Sequence, residues 1–158
     1  MSTPEVSFVK PNDDNIKHIA DNMRAADVIE VYEMSGCSPL LSIKNSIKRS
    51  SLSSVVLIDG VPCAILGLVV VSDLTGTGVP WLLGTDLAVS NKRVFLKHSA
   101  KGIAQMIQRC PLLYNYVHSA NRVSVRWLKF MGFTIHKPEP HGINNAMFHK
   151  FTKGVIDD

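Results

Sequence analysis

Asp86 stands at the edge of an acid-free stretch. From residue 87 to residue 138 there is no Asp or Glu, while nine Lys or Arg fall there with His98, His118 and His136. A carboxylate beside so many cations reads in two ways: as a general base that takes a proton from an amine, or as a turn or cap residue closing a strand. The cations also read in two ways, as a solvated face or as a surface for anions such as phosphate, a cofactor pyrophosphate or nucleic acid. Arg93, Lys97, Lys101, Gln105 and Arg109 recur every four residues, which stacks them as one polar ridge of a helix. Arg122, Arg126 and Lys129 share a face of a later helix. Without interleaved aromatic residues, these two sets imply non-specific electrostatic attraction to nucleic acid and nothing sharper.

Other reactive groups form no convincing set. His136, Glu139, His141 and His149 sit around Pro138 and Pro140, which rules out a helical histidine pair, so they read as loop histidines and no metal is expected. There is no Gly-x-Ser-x-Gly turn for a nucleophilic serine. Cys37, Cys63 and Cys110 are odd in number and lack a CxxC pair, which predicts reduced thiols in an intracellular setting. Trp81 and Trp127 read as core or interface anchors.

The chain that must position these groups has 158 residues, 46% of them hydrophobic and 19% charged. That predicts one globular domain spanning 1–158 and excludes a disordered or solvating rod. The longest apolar run, residues 64–71, has eight members, far fewer than the roughly 20 of a membrane span. Residues 1–6 lack the basic start and apolar segment of a leader. The net charge of +4 is unevenly laid out: residues 1–33 hold seven acids against three bases, a net of −4, and the remainder carries +8.

Periodicity places a strand at residues 5–9, ended by Pro11, and a helix capped by Asn12 or Asp13 with Ile16, Ile19, Ala20 and Met23 on one face. A second helix runs over 25–34 to Gly36, and a third follows the Ser38-Pro39 start, with Leu40, Ile43 and Ile47 aligned. Residues 54–58 and 61–71 form a hairpin about Asp59-Gly60, and residues 79–85 a third strand after a mobile turn with Gly76 and Gly78. Then come a helix over 91–108, a strand at 113–117, a helix from Asn121 to Gly132, a strand at 133–135, a loop about Pro138, Pro140 and Gly142, and a last strand at 146–151. This order predicts a mixed α/β layer, one central sheet of about six to seven strands with helices on both faces, and a strand–helix–strand crossover in the middle.

The segment Asn121-Arg-Val-Ser-Val-Arg-Trp-Leu-Lys-Phe-Met-Gly-Phe133 resembles the fifth-strand-to-helix segment of GNAT-fold acetyltransferases, and the element order fits that fold across nearly the whole chain. Within that superfamily the closer resemblance is to the GNAT-like proteins of short-tailed bacteriophages, the internal virion protein A group. It is carried by Gly78-Val-Pro-Trp-Leu-Leu-Gly-Thr-Asp86, Leu113-Tyr-Asn-Tyr-Val117, Ser124-Val-Arg-Trp-Leu128 and Gly132-Phe133.

The resemblance implies a site and also departures from it. Acetyl-CoA would lay its pantetheine arm along the backbone of Leu87 to Val89. Its pyrophosphate would meet Arg93, Lys97 and His98, with Asn121 completing the cofactor set and Asp86 as base. The phosphate turn of the family asks for small residues so that backbone N–H groups reach the anion, yet Leu96 and His98 fall at those positions. Two such losses amount to roughly 100-fold in affinity. The late-helix tyrosine of many such enzymes is matched by Leu128, which carries no proton, and Tyr114 and Tyr116 lie on the preceding strand. The resemblance therefore implies a role in virion assembly or the internal virion machinery with a degenerate acetyltransferase site, in the host cytoplasm during infection or in the virion. Its partners would be other phage virion or assembly proteins, or a host protein. The alternatives are an active acetyl-CoA-dependent N-acetyltransferase of a protein amine and a non-catalytic module binding host protein or nucleic acid through residues 92–129.

Overall fold

The computed structural model describes residues 2–154; Met1 and residues 155–158, which the single-domain expectation includes, lie outside the described residues. In chain order the elements are β1 (Val6–Val9), α1 (Asp13–Asp21), α2 (Ala25–Ser35), α3 (Pro39–Arg49), β2 (Leu52–Ile58), β3 (Val61–Ser72), β4 (Thr77–Gly84), α4 (Asp86–Ser90), α5 (Lys92–Arg109), β5 (Leu112–His118), α6 (Arg122–Phe130), β6 (Thr134–Ile135), β7 (Glu139–His141) and β8 (Ala146–Gly154). The strands form one sheet in the order β1-β2-β3-β4-β5-β8-β6, with β7 also on β8. All pairs are antiparallel except β4–β5, which is parallel and spanned by the α4–α5 crossover. This is the mixed α/β layer with helices on both faces that the element order predicts.

Local chemistry accounts for the element boundaries. The Asn12 side chain accepts the Asn15 N–H at 2.8 Å and opens α1, and Ser38 accepts from Leu41 ahead of Pro39 to open α3. Asp59 and Gly60 both take positive φ, 48° and 79°, as a two-residue hairpin turn requires. Alternation along the strands then sorts two cores. Val55, Ile65 and Leu83 face α1–α3 and pack with Ile19 and Ile43. Leu68, Leu113 and Val117 face α5 and α6 and pack with Met106 and Phe151. Phe95 and Trp127 close a third cluster over Val56 and Ala64. Trp81 lies directly across from Gly67, where a Cβ would come within 2.6 Å of the indole; only glycine leaves room for that ring.

Four boundaries differ from the periodicity reading. Gly78, expected in a loop, is inside β4, because Leu68 and Cys110 fill the space a side chain would take there. Asp86, expected at a strand end, begins the one-turn helix α4. The loop about Pro140 contains the short strand β7, at a sheet edge where proline costs no ladder bond. The last strand runs on to Gly154, and the two short strands bring the total to eight.

Candidate functional site

Strand β4 is treated differently along its two edges. Toward β3 it pairs from Ser72↔Thr77 to Ala64↔Gly84. Toward β5 it pairs only at Thr77↔Leu112 and Gly78↔Leu113, after which the strands diverge. A cavity of about 560 Å³ opens in this gap and is lined from both faces of the sheet. On the α5–α6 side its wall is Phe95, Ser99, Ile103, Trp127 and Leu128; on the α2–α3 side it is Glu30, Met34, Ser42, Ser46 and Arg49. Trp81, Asn115 and Tyr116 stand between, with the Tyr116 ring stacked on His141 at 3.7 Å between centroids.

Diverging strands leave backbone groups without a ladder partner, and such groups are costly unless satisfied. Side chains of this chain satisfy them. Asn115 donates from Nδ2 to the Pro80 carbonyl at 2.8 Å, and its Oδ1 accepts the Tyr116 N–H at 2.8 Å. Glu30 accepts the His118 N–H at 2.7 Å. Asp27 Oδ2 accepts the Gly84 N–H at 3.0 Å, while the Gly84 carbonyl accepts the Arg24 N–H at 2.9 Å. Helix α2 thus reaches into the wide end of the gap with two carboxyls one turn apart.

A buried polar network holds that helix in place. Arg24 Nη1 pairs with Asp27 Oδ1 at 3.1 Å, both side chains almost wholly buried, and the guanidinium reaches Asn121 Oδ1 at 3.3 Å and Ser124 Oγ at 3.4 Å. Asn121 Nδ2 donates to Asp27 Oδ1 at 3.1 Å, and its Oδ1 also caps α6 by accepting the Ser124 N–H. Trp127 lies under the guanidinium at 6.0 Å. Among the described residues no buried side-chain polar atom lacks a partner. Burial raises the Asp27 carboxyl, opposed by Arg24, the Gly84 N–H and Asn121. Glu30 is partly exposed as a residue, but its carboxyl is surrounded by protein: burial, and then the charge of Asp27, push it up to about 8.

The residues singled out by sequence distribute unevenly around this site. Asp86 is exposed on the first turn of α4 and reaches the cavity only through its charge, which adds to the upward pull on Asp27. Leu87 and Val89 belong to α4, a helical turn tied by Ser90 Oγ to the Asp86 carbonyl and by Asn91 Nδ2 to the Leu87 carbonyl, so they present no extended backbone edge. Arg93 and Lys97 are exposed on α5, and His98 rests near the Phe8 ring at 6.1 Å. Leu96 and His98 lie within the continuous helix α5 rather than in a turn. Asn121 is buried, with both side-chain polar atoms engaged by Arg24, Asp27 and Ser124. Leu128 is in the cavity wall, as is Tyr116. Among the described residues no three His, Cys, Asp or Glu converge as a metal site; His149 instead bonds the His136 carbonyl. Cys63 and Cys110 are buried, and burial pushes the Cys63 thiol up to about 12.

Asp27 and Glu30 carry no role in the sequence reading. Their signal was present: 27, 30, 31 and 34 share one helical face, so two acids stand beside Val31 and Met34 on the inward stripe.

No protein-family model matches the chain, and no curated protein matches it. Solved structures share its fold. A chimeric spermidine N-acetyltransferase from Vibrio cholerae and hSSAT superposes with a TM-score of 0.68 at 11% identity, covering 96% of this chain and 95% of that one. An acetyltransferase of the GNAT family from Streptococcus pneumoniae gives 0.61 at 11%, covering 94% and 98%. An aminoglycoside acetyltransferase in complex with coenzyme A gives 0.68 at 10%, covering 95% of each. At such identities the likeness establishes a GNAT-like α/β fold and nothing finer. No helix among the described residues is long and apolar enough to cross a membrane.

Proposed function

We propose that this chain is a GNAT-fold bacteriophage protein that acts in virion assembly or the internal virion machinery, as a scaffold for protein contacts rather than as an acyl-transfer enzyme. The phage role rests on the sequence resemblance in residues 78–86, 113–117 and 121–133. The loss of catalysis rests on one observation, the engagement of the polar groups at the wide end of the β4–β5 gap by Asp27, Glu30, Arg24 and Asn121. The Gly84 and His118 N–H groups and the Asn121 amide at that end are all bonded within the protein, which leaves none of them free for a thioester cofactor. The helical state of residues 86–90 and the side chains of Leu96 and His98 add to the misfit. These features support a site that does not take acetyl-CoA.

A thermal melt with millimolar acetyl-CoA tests the catalytic half. A ligand at 100 times its Kd adds about 2.7 kcal/mol, several degrees in a domain of this size. The expected shift is nil; a clear shift abolished by Arg93→Ala overturns the reading. Mass spectrometry of purified particles and assembly intermediates tests the other half, and absence from both ends it.

The rival reading is an acetyl-CoA-dependent N-acetyltransferase of a protein amine. One observation favours it: Glu30 lines the cavity with a carboxyl raised to about 8, near enough to neutrality to exchange a proton during a reaction. Under that reading Glu30→Gln abolishes acetyl transfer to an amine substrate, whereas the scaffold reading predicts no transfer by either form.

A further inference from the structure

The outer faces of α5 and α6 carry a charge that nothing in the described fold answers. Arg93, Lys97 and Lys101 follow one another at four-residue steps along α5, about 6 Å apart, and all three are exposed. Arg122, Arg126 and Lys129 form a second exposed row on α6. The helices pack on the same face of the sheet and touch through Phe95 and Trp127, whose ring centroids are 5.3 Å apart. The ion pairs among the described residues are Lys17–Asp21, Arg24–Asp27 and Arg109–Asp73, so none of these six cations is paired. Like charges at four-residue spacing oppose helix formation by a few tenths of a kcal/mol each, and here they recur on both helices with no acid between them. Two such rows create a positive potential that attracts a polyanion.

Phe130 narrows the class of polyanion. It follows Arg126 by one turn, adjoins Lys129 and is 69% exposed, so an uncovered aromatic ring ends the cationic row. The sequence alone showed no aromatic interleaved with these cations; the fold turns this one outward beside them. Cations that track phosphates, next to an aromatic face on which an unpaired base stacks, are the two components of single-strand recognition. A duplex hides its base faces and would leave the ring unused.

We infer that the α5–α6 face binds single-stranded nucleic acid without sequence preference. The surface lies outside the lining of the β4–β5 gap, and the inference rests on the non-catalytic reading, in which Arg93 and Lys97 hold no cofactor pyrophosphate.

Fluorescence anisotropy with a mixed-sequence DNA strand of about 20 nucleotides, its duplex as comparison, tests this over about 50 to 200 mM salt. The expected result is preferential binding of the single strand, with log K falling against log salt at a slope near −4 for six phosphate contacts. Reversing one row (Arg93→Glu, Lys97→Glu and Lys101→Glu together) should weaken binding at least ~10-fold and reduce the slope. Phe130→Ala should weaken it about 5- to 100-fold with the slope unchanged. All four positions are exposed, and circular-dichroism melts check that the variants fold. Absence of binding at the lowest salt overturns the proposal. So does binding indifferent to the row reversal, or equal affinity for duplex with no effect of Phe130→Ala.

Discussion

The two edges of β4 solve the same problem by different means. Toward β3, backbone meets backbone over the whole strand, and the bonds are local to the sheet. Toward β5, two residue pairs are followed by side-chain ties drawn from distant parts of the chain: Asp27 to Gly84, Glu30 to His118, Asn115 to Pro80. The first seam is held by backbone bonds, which deletion of a side chain does not itself remove. The second depends on a few named groups, so a single substitution can open it. An open gap in this sheet is thus not by itself a vacant binding site; its hydrogen-bonding groups can be occupied from within.

The sharpest break in that comparison is Asp27→Ala. It removes the acceptor for Gly84 and Asn121 and leaves Arg24 as an uncompensated buried cation, for an expected loss of about 3–5 kcal/mol in urea unfolding. Leu68→Ala, in the core beneath the zipped half of the sheet, should cost a comparable 2–5 kcal/mol by cavity formation. The two differ in kind: only Asp27→Ala should release the Gly84 amide to fast hydrogen exchange while the β3–β4 ladder stays protected.

Glu30 sharpens the comparison through pH. Its carboxyl sits at about 8 in the folded protein against an ordinary value of 4.5. The folded state therefore keeps a proton that the unfolded chain releases. The associated stability is complete below about 4.5 and is lost as pH rises toward 8, at up to about 1.4 kcal/mol per pH unit. Urea titrations across that range should show the decline, and Glu30→Gln should flatten it.

Smaller effects remain. Asn115→Ala removes the tie between Pro80 and Tyr116 and should cost about 1–3 kcal/mol. Trp81→Phe loses the indole N–H bond to Ser50 Oγ, 2.7 Å long, and part of the ring packed over Gly67, and should cost about 1–3 kcal/mol. An Asn115 variant as stable as the native chain would mean that the gap needs no tie at that level.

Much of the architecture was legible beforehand because its signals are local. Asn12, Ser38-Pro39, Asp59-Gly60 and the segment from Asn121 to Gly132 each specify a cap or turn through neighbouring residues, and the elements follow. The gap was not legible, because divergence of β4 from β5 is a relation between residues more than thirty apart. Residues 86–90 carried no element for a different reason. They lie between the strand read at 79–85 and the helix read at 91–108, and a single turn is too short for periodicity to show; the Ser90 and Asn91 side-chain bonds back to Asp86 and Leu87 hold it. Asp86 drew notice by its isolation in sequence, whereas the carboxyls that enter the gap come from α2, in the acidic first quarter of the chain. Their inward phase was readable from the helix period; which strands they would meet was not.

Amide hydrogen exchange at Gly84 and His118, with and without millimolar acetyl-CoA, tests the central claim most directly. If Asp27 and Glu30 occupy the gap, both amides exchange slowly in the protein alone and acetyl-CoA leaves them unchanged. Fast exchange in the protein alone, slowed on adding acetyl-CoA, would contradict that account and return the gap to a cofactor.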